Sequence, residues 1–146
     1  MQVEIKIDDS CSEPKVIILT DSVTEEINEL VQKLSDNNSR VISGSRDGRI
    51  EILEQNDLIK IYAGNGRVFA VTNQGEYVLR LRLYEAEERL NPAQFVRISN
   101  SEIINLKKVK NFDLSFTGTI CVELVNDTTA YVSRRYVPKI KKILGL

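Results

Sequence analysis

The chain begins in strict alternation: Val3, Ile5 and Ile7 are separated by Glu4 and Lys6, which predicts a half-buried strand over residues 2–8. Pro14 closes the loop that follows, and the continuous apolar run at residues 16–19 predicts a second strand, covered on both faces. Ser22-Val23-Thr24-Glu25 has the S-x-x-E form of a capping box, with Val23, Ile27, Leu30, Val31 and Leu34 at helical spacing. The start of the chain therefore reads strand, strand, helix. Residues 36–40 and 44–48 are rich in turn formers and frame the short apolar piece Val41-Ile42, so a domain boundary is expected near Gly44.

From there the pattern changes to short strands separated by turn signals. Residues 50–53 and 58–63 read as a first pair. Gly64-Asn65-Gly66 makes a tight turn, residues 67–72 return, and Asn73-Gln74-Gly75 turns again into a strand over residues 76–82 with Tyr77, Leu79 and Leu81 on one face. Residues 83–90 form a short charged helix that Asn91-Pro92 stops. Phe95, Arg97 and Ser99 then alternate with Val96 and Ile98 before the strand breaks at the polar turn Asn100-Ser101. Ile103-Ile104 returns to a core, and Asn105 precedes Lys107, Lys108 and Lys110.

Residues 108–116, 119–125 and 128–133 form a meander turned at Thr117-Gly118 and Asn126-Asp127, with Val109, Phe112 and Leu114 as core contacts and Asn111 marking a bulge. A last helix over residues 137–144 starts at about Pro138, with Ile140, Ile143 and Leu144 at helical spacing. The expected fold is mainly β, α+β overall: a β-β-α extension at residues 1–44 and a β domain at residues 45–146.

Length and composition narrow the function. A chain of 146 residues holds one domain with a sizeable core, or a small domain plus an extension. It has neither an apolar run long enough to span a bilayer nor an export signal, so it reads as cytoplasmic. Residues 1–44 carry four basic and nine acidic side chains, net −5, and residues 45–146 carry sixteen and twelve, net +4. That contrast points to an anionic partner for the basic part, although an ordinary solvated surface accounts equally well for the charge alone. The acidic extension is too small to bury a core by itself, so it is expected to pack on the following domain, on a second copy or on another protein.

The chain has no His. That removes Ser-His and Cys-His nucleophilic pairs, His bases and most zinc sites, and no set of carboxylates, lysines or serines stands at a telling spacing. No enzymatic activity, cofactor, metal or small-molecule substrate is expected. Cys11 and Cys121 have no C-x-x-C partner, and Cys121, inside the alternating residues 120–124, reads as a buried thiol.

Three clusters suit an anionic polymer. At the hairpin tip Gly64-Asn65-Gly66-Arg67, the glycines are explained by positive φ, but Arg67 is not. The tip lacks the third glycine and the helix of a dinucleotide loop. The second cluster is Arg97, Asn100, Ser101 and Asn105 with Lys107 and Lys108, in which Asn105 is expected to be structural. The third is Ser133-Arg134-Arg135-Tyr136, where a turn ahead of Pro138 lets both arginines reach outward, with a salt bridge to the acidic first segment as the competing use.

Arg and Lys meet phosphate oxygens, and Asn pairs with base edges or braces a loop. Single-stranded RNA would call for exposed stacking aromatics, yet Tyr62, Phe69, Tyr77 and Phe116 all fit core positions. A protein-protein adaptor with a basic docking surface is the alternative from another functional class.

Arg97-Ile98-Ser99-Asn100-Ser101, followed by Ile103-Ile104-Asn105-Leu106 and Val109, resembles the F-x-R-x-H-x-S-x-x-V-N signature of the LytTR family of bacterial DNA-binding domains, with Ser99 where a His is frequent. Tyr131-Val132-Ser133-Arg134-Arg135-Tyr136 is similar to that family's closing motif, and the resemblance covers about residues 45–146. It implies an elongated β domain whose loops, rather than a recognition helix, enter successive major grooves of double-stranded DNA. By position it assigns the hairpin-tip site to Asn65, Gly66 and Arg67, the mid-domain contact to Asn100, and the late-loop contact to Arg135 with Arg134 beside it. Gly66 stands where a polar side chain is usual, which shifts the weight to Asn65 and Arg67.

The resemblance further implies a bacterial transcriptional regulator that binds promoter repeats about one helical turn apart as two copies, a homodimer at least on DNA. The acidic extension is the natural candidate for the dimer contact. A membrane protein that restrains the regulator is expected as a partner by the same likeness. Residues 1–44 are too short for a receiver domain, so no aspartyl phosphorylation is expected.

Overall fold

The computed structural model describes residues 1–35 and 41–146, and the chain divides into the units Met1–Asn37 and Asn38–Leu146. The turn expected at residues 36–40 lies outside the described residues. In the first unit the regular element is the helix α1 (Glu25–Ser35). Its cap is Thr24, two residues beyond the Ser22 of the predicted box: Thr24 Oγ1 accepts from the Ile27 N–H at 3.3 Å, and the Thr24 carbonyl from the Asn28 N–H at 3.0 Å.

Neither strand expected ahead of this helix forms, and Val3, Ile5, Ile7, Val16, Ile17 and Leu19 are all exposed. Alternation marks which side chains share a face. A strand also needs a neighbour to pair its backbone groups, and this unit contains none among its described residues.

Among its described residues the second unit contains ten strands in two antiparallel sheets, with two short α-helices. β1 (Ile42–Arg46) and β2 (Arg49–Leu53) form a hairpin closed by Asp47 and Gly48, both at positive φ. Gly44, where the boundary was expected, therefore lies in the middle of a strand. The expected pairing of residues 50–53 with 58–63 is not made, because the two-residue turn at Asp47-Gly48 gives β2 a closer partner in β1. A 3-10 turn at Gln55–Asp57 then leads the chain away into β3 (Leu58–Gly64).

β4 (Arg67–Thr72) and β5 (Gly75–Leu79) continue the sheet, and β6 (Phe95–Arg97) and β7 (Glu102–Asn105) complete it in the order β2-β1-β5-β4-β3-β7-β6. β8 (Val109–Asp113), β9 (Ile120–Leu124) and β10 (Thr129–Val132) make the second sheet, a meander as the sequence predicts.

Two cores result. Leu58, Ile61, Ala70, Tyr77, Leu79, Phe95 and Ile103 pack beneath the helix α2 (Leu83–Arg89), which buries Leu83 and Ala86. Ile59, Val96, Ile98 and Ile104 join the inner face of the small sheet and Ile140 of the helix α3 (Val137–Ile143). The register shift between Leu58 and Lys60 explains how one strand serves both: the extra residue lets Ile59 turn to the second core while Leu58 and Ile61 stay with the first.

A second shift, between Val109 and Asn111, is the bulge predicted at Asn111. Pro138 stands in the first turn of α3, where its missing N–H costs no hydrogen bond. Four apolar expectations fail at the rim of this core. Leu114 and Phe116 are exposed because β8 ends at Asp113, whose carboxylate accepts from the Ser115 N–H and hydroxyl at 2.9 and 2.6 Å and turns the chain outward. Cys121 is only half-buried, since it lies on the outer face between Asp113 and Tyr131, and both cysteines are free thiols. Ile143 is exposed beyond the fully buried Ile140.

Candidate nucleic-acid interface

At the β3–β4 tip, Asn65 and Gly66 have φ of 53° and 73°, the doubly positive combination that a twisted two-residue hairpin requires. Gly66 is thus accounted for by backbone geometry, and Asn65 and Arg67 are the exposed side chains of this tip. The next turn, between β6 and β7, is held from within. Arg97 donates through Nε to the Ser99 carbonyl at 2.7 Å, through Nη2 to the Asn100 carbonyl at 2.6 Å and through Nη1 to Glu87 Oε2 at 2.7 Å. Its side chain is 16% exposed. Arg97, read from the sequence as a candidate contact, is a clamp that fixes the shape of the turn. Ser101 N–H donates to Ser99 Oγ at 3.2 Å, and Asn100 is left exposed at the apex.

The third turn, a 3-10 segment at Arg134–Tyr136, follows β10 and leads into α3. Arg134 and Arg135 are both exposed, as the sequence predicts from Pro138. Arg134 lies against the neighbouring Thr117-Gly118 turn, where Gly118 has φ of 77° and a Cβ would stand 3.3 Å from the arginine Nε. Ser133 contributes through its backbone: its N–H donates to the Ile98 carbonyl at 2.9 Å, and its own carbonyl caps the turn by accepting from Tyr136.

These turns are neighbours. The Ala63 N–H donates to the Ser101 carbonyl at 2.8 Å, joining the hairpin to the Asn100 turn. The Ser133–Ile98 bond and the Tyr136 hydroxyl, 3.4 Å from Asn100 Oδ1, join that turn to the arginine turn. Asn65, Arg67, Asn100, Ser101, Arg134 and Arg135 thus stand at one end of the strands. Sequence reasoning missed the bracing role of Tyr136, for which nothing local gives a signal. Arg80, which the sequence gives no reason to single out, is exposed at this same end, just past β5.

Lys107 and Lys108 are not brought into this group. They follow β7 at its far end, about 13 Å from the Asn100 turn at the rise of an extended strand. Asn105 is structural as expected: fully buried, it donates through Nδ2 to the Leu58 carbonyl at 2.7 Å and accepts through Oδ1 from the Lys107 N–H at 2.9 Å. At the same far end Lys110 pairs with Asp127 at 2.6 Å, which raises the ammonium pKa and lowers that of the carboxyl. Among the described residues no cluster of His, Cys, Asp or Glu is arranged to hold a metal ion, and no helix is long and apolar enough to cross a membrane.

The LytTr DNA-binding domain family matches residues 48–145. An uncharacterized HTH-type transcriptional regulator of Staphylococcus aureus strain NCTC 8325 is 31% identical over all of this chain and 99% of its own length. Another so named, from strain MRSA252, is 30% identical over the same shares. A solved LytTr DNA-binding domain from Bacillus cereus superposes with a TM-score of 0.70 at 19% identity, covering 75% of this chain and all of that one. Among the described residues of this chain no two helices are consecutive, since five strands separate α1 from α2 and five more separate α2 from α3. With its β architecture and its family match over residues 48–145 in agreement, the chain belongs to the LytTr DNA-binding domain family.

Proposed function

We propose that the protein is a transcriptional regulator that binds double-stranded DNA sequence-specifically through three adjacent turns. The observation that carries this reading is the exposure of Asn65, Arg67, Asn100, Arg134 and Arg135 at one end of the strands, on turns tied together by backbone hydrogen bonds. A guanidinium with no acidic partner is ready to bond both major-groove acceptors of guanine, a pairing worth about 1–3 kcal/mol of discrimination. An amide on a fixed turn reads a base edge, and backbone and cationic groups around it set register against the phosphates. Arg97 takes part by holding the Asn100 turn, and Lys107 and Lys108 stand outside the reading surface. The names of the full-length relatives support regulation of transcription as the biological role.

The family reading adds two copies bound at repeats about one helical turn apart, with the acidic first unit as the contact between copies and a membrane protein as the restraining partner. The rival is an adaptor that docks an acidic protein. The two separate on duplexes selected from a random pool by the full chain: a regulator enriches a repeated motif, and Arg135→Ala lowers preference at one base pair within it. An adaptor enriches no motif, and its duplex binding depends on salt but not on sequence.

A further inference from the structure

Arg80 is exposed in the bend just past the end of β5, where the β4–β5 ladder stops. That ladder runs Thr72 opposite Gly75, Phe69 opposite Val78 and Val68 opposite Leu79. Val68 and Leu79 are the last pair, and Arg67 and Arg80 are the next residues beyond it on the two chain segments, at the end that carries the hairpin tip. Neither side chain has a hydrogen bond, ion pair or ring contact among the described residues. Two cations at the adjoining ends of neighbouring strands repel. Elsewhere in this unit Arg97, Lys110 and Lys60 each have an acidic partner. An unrelieved arginine pair at the binding end fits a group that supplies the missing negative charge.

We infer that Arg80 and Arg67 together hold one backbone phosphate of the bound duplex, one strand outward from the hairpin tip. The inference rests on the DNA-binding reading above and extends it from three contacts to four. The chemistry is that of a phosphodiester: two guanidinium groups offer convergent N–H donors to its oxygens, fix the register of the outermost turn and carry no base information. Arg67 accordingly turns from the base edge toward the backbone, which leaves Asn65 as the reading group of that tip.

The test uses the full chain and a duplex that the parent protein selects, titrated by fluorescence anisotropy over a range of salt. Arg80→Ala is expected to weaken binding several-fold and by the same factor on single-base variants of the site, with a salt slope shallower by about one. A scan of neutral methylphosphonate linkages should find one position that weakens the parent but not Arg80→Ala, and Arg67→Ala should be insensitive at that same position. Because neither side chain has a hydrogen bond or ion pair to lose and each substitution removes a repulsion, both variants should unfold at the parent's temperature or slightly above it. Parent-like affinity and slope for Arg80→Ala would overturn the inference while leaving the DNA reading intact. So would loss of preference at a single base pair, or different insensitive linkages for the two arginines. Failure of the parent itself to bind any duplex would overturn both.

Discussion

The two ends of the strands in the larger unit differ in how their turns are joined. At one end Arg67, Arg80, Arg134 and Arg135 are exposed and have no acidic partner among the described residues. At the other, Lys110 is paired with Asp127, and the backbone N–H of Lys107 is committed to the buried amide of Asn105, while the Lys107 and Lys108 ammonium groups have no acidic partner among the described residues. The turns at the first end are bonded to one another through Ala63, Ile98, Ser101 and Ser133, so their outward groups stand on a shared, fixed frame. A basic count over residues 45–146 mixes the two ends, and only the strand register separates cations that stand on the joined turns from those at the far end.

The largest effect should come from loosening the frame. Ile98 is fully buried in the second core, and its carbonyl anchors Ser133. Ile98→Ala should cost about 2–5 kcal/mol of stability, read from the urea midpoint. Any surviving folded protein should lose affinity at both the Asn100 and the Arg135 contacts.

Next is the far end. Asn105→Ala leaves the Leu58 carbonyl without its side-chain donor and should cost about 1–3 kcal/mol, with the selected DNA motif unchanged as long as the protein is folded. An altered motif would show that the two ends are not separable in function. A sharper contrast pairs Arg135→Ala with Lys107→Ala and Lys108→Ala: the first should relax discrimination at one base pair, and the lysine changes should leave both affinity and salt slope at parent values. A uniform loss with either lysine would move the duplex footprint to the far end.

The smallest effect concerns the Lys110–Asp127 pair, whose groups are both exposed. The folded carboxyl titrates below its usual value, so its contribution is present above the unfolded carboxylate pKa and fades as pH falls through the folded one. The folded ammonium titrates above its usual value, so its contribution is complete below that value and fades as pH rises through the folded one. Asp127→Asn should therefore flatten the melting temperature slightly at the acid edge and leave DNA binding unchanged.

Much of this architecture was legible in the sequence. The strands of the larger unit alternate with a period of two and are separated by Gly, Asn and Asp turns, and both the bulge at Asn111 and the helix start at Pro138 follow from local chemistry. What could not be read was partnership. Residues 2–8 alternate as well as any strand in the chain, yet alternation names a face without supplying a neighbour. β2 lies next to β3 in sequence, but the turn at Asp47-Gly48 had already given it to β1.

The same limit applied at the site. Arg97 has the residue type of a phosphate or base contact, and only three-dimensional proximity shows the Ser99 and Asn100 carbonyls and the Glu87 carboxylate taking its donors. Lys107 and Lys108 lie near Asn100 in the chain, but a four-residue strand carries them to the opposite end. Arg80 is the converse case, distant from Arg67 in sequence yet, like it, next to the Val68–Leu79 pair that ends the ladder.

Hydrogen–deuterium exchange of the full chain, with and without a duplex that it selects, tests most directly which end faces DNA. Slower exchange is expected on binding at residues 64–67, 99–101 and 133–136, with residues 106–110 and 125–127 unchanged. Protection concentrated at the second set, or at only one of the three turns, would contradict a duplex read by adjacent tips at a single end.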